Sequence, residues 1–274
     1  MGVIMEAQNI GFGYDGSQDR VFDRLSFAIH PGDVFCILGP NGTGKSTLLK
    51  CLAGIEPVSS GHVVLQNRNI ATLSRAETAR IIAYVPQSHQ SLFAFTVFDV
   101  VVMGRAPHIG VLSSPSQKDY EIADKAITAM GITHLRDKQY TNISGGERQL
   151  VLFARILAQE PKVLLLDEPT SHLDFGNQVQ VLALVKQLAE RGIAVIMTTH
   201  FPDHAFLVGH ETAIMASGRF MVQGPPHEVV TASRLSDVYA AEVRLVDIEG
   251  YGRICVPLLP DGVASLSHSL GEIR

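Results

Sequence analysis

Residues Gly39-Pro40-Asn41-Gly42-Thr43-Gly44-Lys45-Ser46 satisfy the pattern G-x-x-x-x-G-K-[ST] at every fixed position. Each fixed residue has a chemical reason. Glycines let successive backbone N–H groups curl into a nest for phosphate oxygens without a Cβ in the way. Lys45 brings a point charge to the β- and γ-phosphates, and the hydroxyl of Ser46 suits Mg²⁺. A helix starting near Lys45 aims its partial positive charge at the same anion, so the motif requires a strand before it and a helix after it. Both flanks comply. Val34 to Leu38 is a continuous apolar run, and Lys45 to Ala53 reads as a helix closed by Gly54.

Other runs extend this strand–helix logic. Val163 to Leu166 and Ile193 to Met197 are short, apolar and bounded by polar or glycine positions, as strands buried on both faces of a parallel sheet are. Helical stretches alternate with them: Glu147 to Gln159 before Pro161, and Gln178 to Glu190 before Gly192. Alternation of this kind implies right-handed crossovers and a doubly wound α/β core. Residues 3–30 and 61–70 are half-polar with turn residues, which predicts an antiparallel flanking sheet. From Ser88 to Asn142 no buried strand is evident, but Tyr120, Ala123, Ile127 and Met130 fall at helical spacing, so a helical insertion is expected there. The last fifty residues have room for a helix and a short hairpin around Glu249-Gly250-Tyr251-Gly252. The expected organisation is one domain over 1–241, with the insertion at about 88–142, and a C-terminal extension over 242–274.

A second chemical group sits at the end of the central apolar run, where Val163-Leu164-Leu165-Leu166 leads into Asp167-Glu168. Open α/β sheets place their ligands at the carboxyl ends of strands. Beside a phosphate loop, Asp167 is placed to hold Mg²⁺ and Glu168 is free to polarise a water. Composition removes other classes. The 274 residues carry 22 Lys+Arg against 27 Asp+Glu, a net charge of −5, which argues against phosphate-backbone binding and anionic lipid. Three widely spaced cysteines, Cys36, Cys51 and Cys255, fit a reducing compartment better than a disulfide framework. No signal peptide and no apolar run of membrane-spanning length is present.

Ile143-Ser144-Gly145-Gly146-Glu147-Arg148-Gln149, upstream of the Asp-Glu strand, resembles the signature motif of ATP-binding cassette (ABC) ATPases. The other family elements follow in order: Tyr14 as the aromatic that stacks on adenine, Gln87 in the Q-loop, Ser171-His172-Leu173-Asp174 in the D-loop, and His200 as the switch histidine. The resemblance covers about residues 3–230. Two positions depart from the commonest pattern, Ile143 and Glu147, and neither alters the phosphate-facing Ser144, Gly145 and Gly146. The resemblance implies a P-loop NTPase (RecA-like) core with an antiparallel flanking sheet and a helical subdomain. It also implies an ATPase whose cofactors are ATP and Mg²⁺. Tyr14, Gly39, Pro40, Asn41, Gly42, Thr43, Gly44, Lys45, Ser46 and Thr47 would bind nucleotide, together with Ser144, Gly145, Gly146 and Asp174 reaching across a homodimer. Ser46, Gln87 and Asp167 would hold the metal, and Glu168, His200 and Gln87 would serve catalysis.

Several residues keep a second reading. Ser144-x-x-Glu147 is also a capping box, compatible with a signature role. Tyr14 is equally a packed strand aromatic. His200 and His204 are four residues apart, a spacing some zinc sites use, yet Pro202 intervenes and no third ligand is evident, so His204 reads as an ordinary surface residue. Phe93, Phe95 and Phe98 pack locally in the insertion or line a groove for a helix of a permease.

Thr96 to His108 resembles the stretch after the Q-loop in importers of ferric siderophores, haem, cobalamin or molybdate. The resemblance therefore implies the ATPase subunit of an importer. It would work with an integral-membrane permease dimer and an extracytoplasmic binding protein, at the cytoplasmic face of the inner membrane and without nucleic acid. A soluble repair or translation ATPase, or an exporter subunit, is the alternative. The lack of sustained heptads, of cysteine pairs and of a second phosphate loop tells against the soluble factor.

Overall fold

The computed structural model describes residues 2–14, 19–87, 95–110, 112–171, 173–249 and 252–259. The chain opens with β1 (Met5–Phe12) and β2 (Phe22–Ile29), antiparallel partners in which Met5 faces Ile29 and Phe12 faces Phe22. β3 (Val34–Leu38) follows, with all five residues buried, and leads through the glycine loop to α1 (Lys45–Leu52). β4 (Ser60–Leu65) returns to pair with β1, β5 (Arg68–Asn69) pairs with β4, and α2 (Arg75–Ile81) leads into β6 (Ile82–Val85). These strands form the predicted antiparallel sheet, in the order β2-β1-β4-β5.

The described part of the insertion is helical, as expected, with α3 (Val97–Val102) and α4 (Gln117–Ala129), and α5 (Gly145–Gln159) follows it. The core resumes with β7 (Val163–Asp167), α6 (Phe175–Glu190), β8 (Ala194–Thr199), α7 (Pro202–Val208), β9 (Glu211–Ala216) and β10 (Arg219–Gly224). Two short helices, α8 (Pro226–Val229) and α9 (Ala232–Tyr239), precede a hairpin of β11 (Val243–Ile248) and β12 (Gly252–Pro257). The hairpin lies where expected, and Gly250 and Tyr251 of its turn fall outside the described residues.

The second sheet runs β10-β9-β3-β8-β7-β6, parallel from β9 to β6, with β10 antiparallel at one edge. Every residue of β3, β7 and β8 is buried because both faces are covered. One face packs with α1 onto the antiparallel sheet, where Phe27 and Phe35 stack at 4.8 Å beside Ile37, Leu48 and Leu65. The other face carries α6 and α7, with Val185, Leu188 and Ala205 against Leu166 and Met197. A third cluster holds the insertion together through Val97, Val101, Ala123, Ile127 and Val151. Since α5 contributes Phe153 to the second cluster and Ala154 to the third, one helix ties the insertion to the core.

The apolar pattern does not reveal β6, α2, α7 or the β9–β10 hairpin. β6 has only four residues, and β10 alternates exposed and half-buried positions at a sheet edge. α6 starts at Phe175, three residues before the helical pattern begins. Asp174 caps it there by accepting the Asn177 N–H at 2.8 Å, overcoming the weak helix preference of Gly176 and Asn177. Cys36, Cys51 and Cys255 are free thiols. Among the described residues no helix is long and apolar enough to cross a membrane.

Candidate nucleotide site

The loop between β3 and α1 depends on glycine where the backbone is crowded or turned. A Cβ on Gly39 would sit 2.3 Å from the Met215 carbonyl oxygen, and Gly44, the residue before α1, has φ +98. No acidic side chain occupies the first turn of α1, so no residue of that turn offsets its N-terminal partial charge. Lys45 is 5% exposed and donates to the carbonyls of Gly39 at 2.7 Å and Pro40 at 2.9 Å. Its ammonium also lies 3.5 Å from Glu168 Oε1. Burial pulls the Lys45 pKa down, against the opposing pull of Glu168 and Asp167. Thr43 Oγ1 closes the turn onto the Pro40 carbonyl at 3.0 Å. Ser46 and Thr47 are half-buried at the start of the helix.

The two acids are set by one threonine on the neighbouring strand. Thr198 Oγ1 donates to Asp167 Oδ1 at 2.8 Å and accepts the Glu168 N–H at 3.0 Å. Burial first, and then the charge of Asp167, raise the pKa of the Tyr84 phenol on the neighbouring strand β6. Glu168 has φ 48, a left-handed conformation that a non-glycine residue adopts at some cost and that turns its side chain out of the strand direction. The carboxylate is 7% exposed and crowded with donors. Gln87 Nε2 donates to Glu168 Oε2 at 2.9 Å and Ser171 Oγ does so at 3.0 Å. His200 Nδ1 stands 3.4 Å from the same oxygen, within ion-pair reach but without hydrogen-bond alignment.

Lys45, Asp167, Glu168, Gln87 and His200 thus converge, although Gln87 and Glu168 are 81 positions apart in sequence. Sequence reasoning missed Tyr84, Thr198 and the orienting role of Ser171. Thr198, two residues before His200 where the apolar run of β8 gives way to two threonines, was the available signal. Ser144, Gly145 and Gly146 stand apart. Among the described residues no hydrogen bond joins them to the phosphate loop. Ser144 caps α5: its N–H donates to Glu147 Oε2 at 2.7 Å, and its Oγ accepts the Glu147 N–H at 3.3 Å. Ser144 and Gly145 are exposed, and a Cβ on Gly145 would meet open space. Asp174 is held by its capping bonds to Asn177, and His172 lies outside the described residues. Tyr14 is 53% exposed and meets Phe12 edge-on at 5.0 Å, leaving ring surface free. The strand leading to it lies beside the loop: Val21, bonded to the Phe12 carbonyl, borders Gly44.

The aromatic cluster divides. Phe93 lies outside the described residues, Phe98 is packed between Tyr120 and the Arg136 guanidinium, and Phe95 is 40% exposed. Phe95 borders a groove of about 420 Å³ with Val102, Met103, Ile109 and Tyr120.

His204 corrects an expectation. It is buried, at 5% exposure, and its Nδ1 lies 2.9 Å from Thr199 Oγ1, which also accepts the Phe201 N–H at 3.1 Å. Helix α7 turns this histidine inward, where it fixes the backbone on either side of His200. Burial, then the nearby His200, push its pKa down from 6.5 to about 4. The unfolded chain therefore takes up a proton first as pH falls, and stability drops between pH 6.5 and about 4, by up to ~3 kcal/mol. His204→Gln, which keeps a hydrogen-bonding side chain but does not titrate, should flatten the dependence of Tm on pH across that window. Equal slopes in the two proteins would refute the assignment.

Residues 22–171 match the sequence model of the family described as ABC transporter. The chain belongs to that family. The cassette is 39% identical over 257 residues to the hemin import ATP-binding protein HmuV of Thermobifida fusca, covering 94% of this chain and 88% of the relative. It is 36% identical over 240 residues to the molybdate import ATP-binding protein MolC of Haemophilus influenzae, covering 87% and 89%. Among solved structures it resembles a metal-chelate type ABC transporter in an inward-facing conformation, with 34% identity, a TM-score of 0.83, and coverage of 94% of this chain and 98% of that one. The cassette is a nucleotide-binding ATPase of the mixed α/β fold predicted above.

Proposed function

We propose that the cassette is the ATP-hydrolysing subunit of an importer for a metal chelate or related solute: a ferric siderophore, haem, cobalamin or molybdate. The carrying observation is the near full-length similarity to import ATP-binding proteins together with the carboxylate Glu168 held among Lys45, Gln87, Ser171 and His200.

Two copies pair head-to-tail, each placing its exposed Ser144 and Gly145, with the half-buried Gly146, over ATP held by the other. That pairing gives a purpose to an α5 N-terminus standing free of its own phosphate loop. Lys45 and the loop amides from Gly39 to Thr47 bind the β- and γ-phosphates, and the free face of Tyr14 stacks on adenine. The hard oxygen donors of Ser46, Asp167 and Gln87 suit Mg²⁺, which would neutralise phosphate charge. Among the described residues no cluster of three acidic, histidine or cysteine ligands competes with that role. Glu168 accepts a proton from water as the water oxygen bonds to the γ-phosphorus and the bond to the bridging oxygen breaks, releasing ADP and phosphate. Gln87 and Ser171 fix the carboxylate for that step, and His200 steadies the γ-phosphate.

Separation of the pair drives a permease dimer, whose short helix seats in the groove beside Phe95. Cargo reaches the permease from an extracytoplasmic binding protein, and the cassette works at the cytoplasmic face of the inner membrane.

Uptake assays test the proposal. Cells lacking the chain should lose accumulation of one of the four solutes, and the wild-type chain should restore it whereas Glu168→Gln should not. Unimpaired uptake of all four would overturn the importer reading.

A further inference from the structure

Helix α6 is apolar on two faces. Val181, Val185 and Leu188 pack on the parallel sheet. Phe175, Val179 and Leu182 form a second stripe at positions i, i+4 and i+7, with Lys186 at its far end. Phe201 and Leu207 of α7 face that stripe across a groove of about 460 Å³. Phe175 is 82% exposed, Leu207 57% and Val179 50%, so three large apolar side chains of one groove stand open to water. A surface helix ordinarily turns its polar face outward, and a helix apolar all round is one that something covers.

The chain itself delivers a cover. The Cys255 N–H of β12 donates to Asp203 Oδ1 at 2.6 Å, and Asp203 lines the groove. β12 packs on α7, so the backbone leaves the hairpin at the rim of the groove. Residues 260–274 lie beyond the described residues, and their sequence carries Val263, Leu266, Leu270 and Ile273 at helical spacing. The lengths agree. At about 1.5 Å per residue, a helix over 263–273 would span ~15 Å, and the groove wall over 175–186 spans ~16 Å. Charge agrees as well. α6 and α7 each follow a strand of the parallel sheet from its carboxyl end, so they run in one direction, from the Asp203 end of the groove toward Lys186. A segment entering beside Asp203 brings its acid, Glu272, to the level of Lys186, a cation with no ion pair among the described residues. We propose that residues 260–274 fold back into this groove, with Val263, Leu266 and Leu270 against Val179, Leu182 and Leu207 and with Glu272 beside Lys186. The segment then braces α7, whose first turn follows His200, from its open side.

Hydrogen exchange on the full chain, read by mass spectrometry, tests this. Amides of residues 263–273 should exchange about tenfold or more slowly than in a free peptide of the same sequence. Leu207→Asp puts a charge on the groove wall at a side chain already more than half exposed. The strands β3 and β7 should keep their protection in that variant, while residues 263–273 lose theirs. A chain ended after Leu259 should bind the dye anilinonaphthalene sulfonate at the opened groove, and the full chain should bind it several-fold less. Free-peptide exchange rates in the full chain would overturn the proposal. So would protection that Leu207→Asp leaves intact, because the segment would then sit elsewhere. Protection that fades on dilution would give the groove to a second copy, and equal dye binding by the full and shortened chains would leave it open to a separate partner. Either result overturns the fold-back.

Discussion

Glu168→Gln should lower the ATPase kcat by at least about 10²-fold, the low end of what a positioned general base supplies. The substitution preserves volume at a site 7% exposed, so the fold around it has no cavity to absorb. What changes is the acceptor capacity. In wild type, Gln87 Nε2, Ser171 Oγ and the Lys45 ammonium all address this one carboxylate. An amide presents one oxygen and one NH₂, so one of those donors faces another donor and the side chain can no longer take a proton from water. ATP affinity should stay within a few-fold, because the lysine and the loop amides are untouched. With hydrolysis blocked, ATP should also hold two copies together, and gel filtration of the variant with Mg·ATP should give an apparent mass twice that of the nucleotide-free chain. Wild-type turnover in the variant would remove Glu168 from the base role.

The parts of this fold that sequence disclosed are those in which one physical requirement dominates. Burial on both faces writes β3 and the bodies of β7 and β8 as apolar runs, with polar residues only at the carboxyl ends of β7 and β8, and the loop at Gly39 needs its residue types wherever it occurs. The elements left unseen answer to several requirements at once. β6 is a four-residue edge strand, too short for its apolar pattern to stand out from the helix before it. α7 looks unpromising, with Pro202 and two polar residues in seven, yet proline suits its first turn and His204 is buried only because Thr199 gives it a hydrogen bond. A histidine four residues after another reads as exposed until the partner that neutralises its polarity is known.

The site shows the same division. Lys45, Asp167 and Glu168 were legible because motif spacing specifies them. Thr198 and Tyr84 were not, because a threonine or a tyrosine in a strand is ordinary and only the register, Asp167 beside Thr198 across β7 and β8, gives it meaning. Of the two readings of the signature segment, the structure realises the capping box in full and leaves Ser144 and Gly145 at the surface.

Lys45→Ala should weaken ATP binding by about 10²-fold or more, since charge-assisted hydrogen bonds contribute ~1.5–3 kcal/mol each and the ammonium addresses two phosphates. The same residue has a second duty that must be separated from the first. With only 5% of its surface exposed, Lys45 supplies the hydrogen bonds to the Gly39 and Pro40 carbonyls and the positive charge beside Glu168. Alanine strips all three and opens a cavity where the stem was, so Tm should fall along with affinity, and a lower affinity alone could reflect a distorted loop. Lys45→Met keeps most of the stem volume and removes only the charge and its donors. If the ammonium binds phosphate, the two variants should lose ATP affinity equally, by titration calorimetry, while methionine retains more of the thermal stability. Adding Mg·ATP should then raise the Tm of wild type and of neither variant, because a ligand stabilises in proportion to its affinity for the folded state. Wild-type affinity in Lys45→Met would leave the loop amides and the α1 dipole as sufficient anion binders and confine Lys45 to the scaffold.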